Sequence, residues 1–132
     1  MSDSKVSDAK DHRHQPFPEE DEGKAGPQPT SYTMVEPRFR EIYFQFYKET
    51  YKPSVLDRKT KELVAISASL AAKCQGCLEG HIKKALKFGA SREEISETIA
   101  IAIGVNAAAI VDLTDIAAEN MNLHLFPGPA KK

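Results

Sequence analysis

Apolar residues recur every three or four positions from about residue 37 onwards, which is the spacing of one face of an α-helix. Pro37 suits the first position of such a helix, and Lys52-Pro53 is expected to end it. The apolar stripe between them contains Phe39, Ile42, Tyr43, Phe46 and Tyr47. We interpret this aromatic stripe as a docking face for the core or for another subunit, with a cofactor-binding segment as the alternative.

Two further helices are expected in the middle of the chain. The second begins at a cap supplied by Ser54 or Asp57 and runs to about Ala72. The third covers about residues 74–88, and Gly89 is placed to end it in the left-handed conformation.

The C-terminal third of the domain predicts two more helical segments. Ser91 and Glu94 have the spacing of a capping box, and the helix after them carries Ile95, Ile99 and Ile103. Gly104 is interpreted as a break or a close helix crossing. The alanine-rich stretch from Val105 to about Met121 is then expected to be helical and buried. Since no segment alternates like a strand, the fold class is all-α, a compact bundle of about five helices.

The two ends of the chain differ from this helical middle. Residues 1–30 are rich in charged residues, proline and glycine, so they are expected to form a disordered tail. Residues 31–122 form the predicted domain, and residues 123–132 a flexible C-terminal tail. The tails are interpreted as loose termini, with docking onto a partner or a protein shell as the alternative.

Composition and charge exclude some classes of function. The formal net charge is −1 with 28% charged and 41% hydrophobic residues, which gives no general attraction to nucleic acid or to an anionic membrane. The longest apolar run, near Ile99–Ile103, is too short to span a bilayer, and the first residues lack an apolar signal core. We therefore expect no nucleic-acid or membrane partner and a cytoplasmic location, or one inside a protein compartment filled from the cytosol.

The candidate chemistry lies in the string from Cys74 to His81, which contains both cysteines of the chain. On a helix, Cys74 and Cys77 lie about 60° apart, and Cys77 and His81 about 40° apart, so all three can share one face. A cysteine pair of this spacing in a chain without a signal sequence indicates redox or metal chemistry. If Cys74 stands at the helix entrance, the two sulfurs can form a disulfide.

A thiol peroxidase cycle fits these residues. A thiolate attacks the O–O bond and becomes a sulfenic acid, the second cysteine condenses with it, and a reductant reopens the disulfide. His81 is the nearest acid and base for this cycle, and Glu62 in the preceding helix is its best carboxylate partner. Glu79 is closer in sequence but projects from another side of the helix, so we interpret it as a surface charge.

Two other interpretations of the cysteines remain. A metal half-site is one, but zinc requires four ligands, and the folded part offers only His81 and His124 besides the cysteines. Two buried, inert cysteines are the other. His124 is interpreted as a structural or exposed histidine.

Glu62-x11-Cys74-x2-Cys77-x3-His81 resembles the core motif of the alkylhydroperoxidase D-like and carboxymuconolactone decarboxylase superfamily. The flanks agree, with Lys61-Glu62-Leu63-Val64 before the cysteines and the Gly-Ala-Ser-x-Glu-Glu-Ile continuation of residues 89–95 after them. The resemblance covers about residues 36–121. It implies an all-helical fold that forms obligate homo-oligomers, often trimers or hexamers, with the site near subunit contacts.

The resemblance also implies roles for the site residues. In its peroxidase branch Cys77 is the peroxidatic cysteine, Cys74 is the more exposed one that meets the reductant, and Glu62 with His81 forms the proton relay. The helix-end argument favours Cys74 as the more acidic thiol. We follow the resemblance, because a base one turn away can outweigh the helix end. Gly76 departs from the fuller peroxidase members, which carry a histidine there.

The function expected from these residues is thiol-dependent reduction of hydrogen peroxide or organic hydroperoxides. It needs no bound cofactor, but an external thiol, a dithiol protein or a small-molecule reductant must reopen the disulfide. One alternative is a decarboxylase-like lyase that uses His81 and Glu62 as acid and base. Another is a non-catalytic module for redox sensing or assembly.

Overall fold

The computed structural model describes residues 32–131, and the regular structure within that range consists of four α-helices without a strand. Their bounds are α1 Pro37–Tyr51, α2 Arg58–Ala71, α3 Gln75–Lys87 and α4 Arg92–Met121. The expected all-α class is confirmed. Residues 1–30, the predicted N-terminal tail, lie outside the described range.

The helix ends follow local rules that were visible in the sequence. Of the two candidate caps for α2, the structure uses Asp57, whose side chain accepts a hydrogen bond from the amide of Thr60 at 2.7 Å. Gly89 has φ +87° and ends α3 as expected. The capping box of Ser91 and Glu94 is complete, with both reciprocal hydrogen bonds formed. These signals therefore define two of the connections between helices, α1–α2 and α3–α4.

The prediction of about five helices is wrong by one, because α4 continues through Gly104. A single glycine costs an α-helix only about 1 kcal/mol, which a long alanine-rich and isoleucine-rich sequence on both sides offsets. The segments interpreted as a fourth and a fifth helix are thus one helix of 30 residues. After it, residues 123–131 contain no helix or strand.

The core is small and lies where α2 packs against α3 and α4. Ile66, Ala85 and Ala90 are buried at its centre. Partly buried residues pack around them: Leu63, Leu70, Leu78, Ile82, Ile95 and Ile99. The side chain of Lys59 on α2 also reaches Glu94 on α4 at 2.8 Å. The centre of the fold is therefore α2, with α3 and α4 on either side.

The second half of α4 is exposed, which contradicts the expectation that residues 105–121 are buried. Every residue from 103 to 121 is exposed except Ala118, which is half-buried. The physical reason is length. At 1.5 Å per residue the 30-residue α4 extends about 45 Å, whereas the 14-residue α2 beside it extends only about 21 Å. Among residues 32–131, the C-terminal half of α4 therefore has no other helix to cover it.

The apolar run at Ile99–Ile103, which alone is too short to span a bilayer, is part of this much longer apolar helix. Within the described residues, α4 is the one helix whose length and composition would allow it to cross a membrane.

Helix α1 has no buried residue and packs lightly on α2. Its last turn is nevertheless fixed, because the ammonium of Lys61 on α2 donates hydrogen bonds to the backbone carbonyls of Thr50 and Lys52. The first of these bonds is 2.7 Å long. This contact sets the position of Tyr51, which lies between the two carbonyls in the chain.

Candidate functional site

The two cysteines are joined by a disulfide at the start of α3, with a Cα–Cα distance of 5.3 Å. Cys74 is the N-cap of that helix, and its sulfur accepts a hydrogen bond from the amide of Cys77 at 3.3 Å. The turn before it is tight, since Lys73 has φ +55° and the amide of Cys74 donates to the carbonyl of Ser69. The expected position of Cys74 at the helix entrance is therefore present.

The relative exposure of the cysteines differs from the expectation. Cys77 is exposed and Cys74 is half-buried, so the prediction that Cys74 is the more exposed of the pair is wrong. The reason is the turn between α2 and α3, which ties the backbone of Cys74 to the buried Ser69, whereas Cys77 stands one turn further along, outside this turn.

Behind the cysteines, Glu62 and His81 form a buried hydrogen-bonded pair between α2 and α3. Oε2 of Glu62 lies 2.6 Å from Nδ1 of His81, and the two residues are 0% and 9% exposed. The expected pairing of these two residues is thus present in the fold. With Glu62 ionised, Nδ1–H donates to the carboxylate and the second nitrogen, Nε2, keeps its lone pair for another group.

Arg58 completes the surroundings of this carboxylate, a contact that the sequence reasoning missed. Its guanidinium lies 2.8 Å from Oε1 of Glu62, one helical turn away on α2. Burial alone would raise the pKa of Glu62, but the hydrogen bonds and charges of His81 and Arg58 outweigh it and hold that pKa below its usual value. Glu62 is therefore a carboxylate at neutral pH. The Arg-x3-Glu spacing on one helix was the signal available in the sequence.

Two tyrosines of α1 cover the open side of the imidazole and were also missed as site residues. The ring of Tyr51 is stacked on His81 with centroids 5.3 Å apart and 20° between the planes, and its hydroxyl lies 3.4 Å from Nε2. The ring of Tyr47 follows at 6.5 Å, and its hydroxyl accepts a hydrogen bond from Lys84. Burial, with the charge of Glu62 second, raises the pKa of Tyr51 to about 12, and burial raises that of Tyr47 further.

A cavity of about 340 Å³ lies over this arrangement. Both cysteines and His81 line it, and its wall on the α1 side is aromatic: Tyr32, Tyr43, Phe46, Tyr47 and Tyr51. The aromatic stripe expected as a docking face is therefore in part the wall of a pocket. Glu62 does not line it and acts only through His81.

The other candidate residues lie away from this cavity. Glu79 accepts a hydrogen bond from Gln75 on the same helix at 3.0 Å and does not line the cavity. His124 lies at the exposed C-terminal end, 3.7 Å from Glu119. Across residues 32–131, no group of three or more histidine, cysteine or acidic side chains is gathered as a metal site would require.

Comparison with known proteins agrees with this arrangement of helices. The model of the carboxymuconolactone decarboxylase family matches residues 37–119. A Paracoccus denitrificans protein described as uncharacterized protein 4 in the cox locus is 33% identical over 69 residues, which cover 52% of this chain and 62% of that protein. The chain thus spans less than two thirds of the length of this relative.

Solved structures give the same result. A carboxymuconolactone decarboxylase family protein from Legionella pneumophila, in its apo form, is 33% identical with a TM-score of 0.50, over 52% of this chain and 62% of that one. A Thermotoga maritima protein is 30% identical with a TM-score of 0.50, over 64% and 82%. A Methanobacterium thermoautotrophicum protein at 23% identity and a TM-score of 0.58, over 61% and 91%, shares the fold.

Because the family model matches more than half of its residues, this chain belongs to the carboxymuconolactone decarboxylase family. Family members share a fold and include different chemistries, so the residues of the site decide what this chain does.

Proposed function

We propose that the protein is a thiol-dependent peroxidase that reduces hydroperoxides through a dithiol–disulfide cycle of Cys74 and Cys77. One observation carries this proposal. The disulfide lies in the wall of a cavity that also contains His81, and a buried carboxylate orients that histidine from behind. A redox pair, a proton carrier and space for a substrate thus meet at one place.

The first half of the cycle oxidises a cysteine. Nε2 of His81 takes the proton of the Cys77 thiol, and Glu62 stabilises the resulting imidazolium. The thiolate attacks the outer oxygen of the hydroperoxide, so that an S–O bond forms and the O–O bond breaks. The departing alkoxide takes up a proton and leaves as the alcohol, or as water from hydrogen peroxide. The thiol of Cys74 then displaces water from the sulfenic acid and forms the disulfide.

The exposure of the cysteines supports Cys77 as the peroxidatic residue, since an exposed sulfur at the cavity is accessible to the substrate. It also changes the expected second half of the cycle. An external dithiol would attack the exposed sulfur of Cys77, and Cys74 would leave as a thiolate at the N-cap. There the amide of Cys77 and the end of α3 stabilise negative charge.

The cavity supports organic hydroperoxides as substrates beside hydrogen peroxide. Its volume of about 340 Å³ lies in the range of small-molecule sites and far above the roughly 30 Å³ that a water molecule occupies in the liquid. Aromatic rings along one wall would bury an apolar group attached to the peroxide.

We also propose that the chain works as a homo-oligomer, a trimer or a hexamer, with α4 in the contacts. The exposed apolar half of α4 supports this, because such a surface on a soluble protein marks an interaction site. Asp112 and Asp115 stand within that half, and charged residues are costly in the interior of a bilayer. They favour a protein partner over a membrane. The cytoplasmic or compartment location, and docking of the tails to a partner or shell, stay predictions.

The test is consumption of cumene hydroperoxide and hydrogen peroxide with a dithiol donor. Cys77→Ser and Cys74→Ser should each abolish turnover, and His81→Ala should reduce it by about 10² or more. His124→Ala is the matched control, since that histidine lies outside the cavity, and it should keep wild-type turnover. Full activity in both cysteine variants would contradict the proposal, as would an inactive wild type.

A second candidate is a lyase that acts on a lactone acid through His81 and Glu62. Family membership favours it, together with a cavity that is lined by His81 and Lys84 and, among residues 32–131, by no acidic side chain. Lactone decarboxylation that survives the double variant Cys74→Ser, Cys77→Ser would support it. A reversible disulfide without turnover of any substrate would instead indicate a redox-sensing or assembly module.

A further inference from the structure

Tyr51 is the residue of α1 that contacts the proton carrier of the site directly. It is the last residue of the helix, and its hydroxyl oxygen lies 3.4 Å from Nε2 of His81. The Tyr51 ring is stacked on the imidazole, with 5.3 Å between the ring centroids and 20° between the planes. The guanidinium carbon of Arg58 lies 5.3 Å from the centroid of the same tyrosine ring. The hydroxyl is therefore held at this nitrogen by several contacts at once.

The two nitrogens of His81 have different neighbours, and this limits the route of a proton. Nδ1 is committed to Glu62 at 2.6 Å, in a position that is closed to the cavity. Nε2 is the nitrogen left to exchange protons, and its hydrogen-bond partner is Tyr51. His81 is buried, whereas Tyr51 is only half-buried and lines the cavity. The hydroxyl of Tyr51 therefore lies next to Nε2 and belongs to a residue that lines the cavity, so it can pass a proton between the two.

We propose that the Tyr51 hydroxyl carries the proton from His81 to the leaving oxygen of the hydroperoxide. As the sulfur of Cys77 binds the outer oxygen and the O–O bond breaks, the alkoxide takes the phenolic proton. The phenolic oxygen takes the proton of Nε2 at the same time. Cys77 ends as a sulfenic acid, the alkoxide as an alcohol, His81 as a neutral imidazole and Tyr51 unchanged, so atoms and charges balance.

The electrostatics of Tyr51 suit a group that passes a proton without losing its own. Burial raises its pKa to about 12, so the side chain is a neutral hydroxyl at any physiological pH. A hydroxyl donates one hydrogen bond and accepts others, which allows it to point toward Nε2 before His81 is protonated and away from it afterwards. A tyrosinate is never required, because the two proton transfers occur together.

This inference rests on the peroxidase activity proposed above, and its test separates the two. Reduced protein is mixed with a peroxide in a single turnover, and formation of the disulfide is followed. Two peroxides of similar size are compared. Cumene hydroperoxide leaves as a basic alkoxide that needs a proton, whereas perbenzoic acid leaves as a stable carboxylate that needs none.

Tyr51→Phe keeps the ring and removes only the hydroxyl. We expect it to slow oxidation by cumene hydroperoxide by about 10², the usual size of an acid–base contribution, and oxidation by perbenzoic acid by less than about threefold. Tyr47→Phe removes the same atom from the next ring, which bonds Lys84 instead, and any loss should be equal for both peroxides.

The possible outcomes separate the proton relay from the peroxidase activity. Retained reaction with perbenzoic acid in Tyr51→Phe shows that the fold and the cysteines are intact, so a selective loss supports the relay. Equal slowing with both peroxides, or no slowing, would overturn the relay and leave the proposed peroxidase standing. A wild type that neither peroxide oxidises would overturn both.

Discussion

The α2–α3 pair and the C-terminal half of α4 contain similar numbers of apolar residues, but the first buries part of them and the second leaves them exposed. Between α2 and α3, Ile66 and Ala85 are fully buried, and Glu62, which is also fully buried, is hydrogen-bonded to His81. From residue 103 to 121, α4 presents its isoleucines, valines and leucines to the outside.

This difference indicates that two parts of the same small domain have separate roles: one positions His81, and the other offers an apolar surface. The groups that position His81 come from one chain, since Glu62, Arg58 and Tyr51 all contact one another or the imidazole within it. The apolar surface of α4 contributes nothing to those contacts. A domain of this size buries little of its surface, so a partner that covers α4 would add the stability that its own core lacks.

The largest effect is expected from a charge on the exposed half of α4. Ile110 is 65% exposed in the single chain, so Ile110→Asp would be nearly neutral if the chain worked alone. In the proposed oligomer it buries a carboxylate in the contact and should shift the native mass toward the 14.6 kDa of one chain. Light scattering after size-exclusion chromatography measures this, with Ile110→Leu as the control. A wild type that is already monomeric would contradict the proposal.

The next largest effect is expected from the buried core, where a buried and an exposed position of α2 can be compared. Ile66 is 0% exposed and Val64 is 56% exposed, two positions apart on the same helix. Ile66→Ala should lower the free energy of unfolding by about 4 kcal/mol through lost transfer energy and a cavity. Val64→Ala should change it by less than about 0.5 kcal/mol. Urea unfolding checks both, and equal losses would show that Val64 is covered in the assembled protein.

The smallest of the three effects concerns the charge inside the buried pair. Glu62→Gln should lower the free energy of unfolding by about 2 kcal/mol at neutral pH, because a carboxylate that accepts hydrogen bonds from Arg58 and His81 is replaced by an amide. The folded-state pKa of Glu62 lies below its ordinary value of 4.5, so this stabilisation is present above pH 4.5 and is lost as the pH falls through the folded pKa.

The pH dependence of this variant gives its own control. The gap in stability between wild type and Glu62→Gln should be constant between about pH 5 and 7 and close in more acidic solution. Thermal melts across that range measure it. A gap that does not change with pH would mean that the amide is destabilising through its shape and not through the missing charge.

The elements of the fold and the chemistry-bearing residues could be predicted from the sequence, whereas their surroundings could not. Capping signals at Asp57 and Ser91 and the left-handed Gly89 are local, so they can be interpreted from neighbouring residues alone. The spacing of Cys74, Cys77 and His81 on one helix is local too. Glu62 was chosen as the partner of His81 because it is an acid in an apolar segment of the preceding helix.

What could not be predicted depends on how separate helices meet. The stacking of Tyr51 on His81 requires α1 to end beside α3, and no local pattern in either helix specifies that approach. The exposure of residues 105–121 depends on the unequal lengths of α2 and α4 in space. Alanine-rich and isoleucine-rich sequence occurs both in buried helices and in exposed ones, so the composition of residues 105–121 alone did not predict their exposure.

The sulfur of Cys74 both closes the disulfide and caps α3, and this joins the oxidation state of the protein to the backbone of a helix. If the proposed cycle releases Cys74 as a thiolate, that thiolate accepts a hydrogen bond more strongly than the disulfide sulfur does, so the first turn of α3 would tighten on reduction. The amide proton of Cys77 would then be a spectroscopic reporter of the proposed cycle. Its chemical shift and its exchange with solvent would record the redox state of the site without any added label.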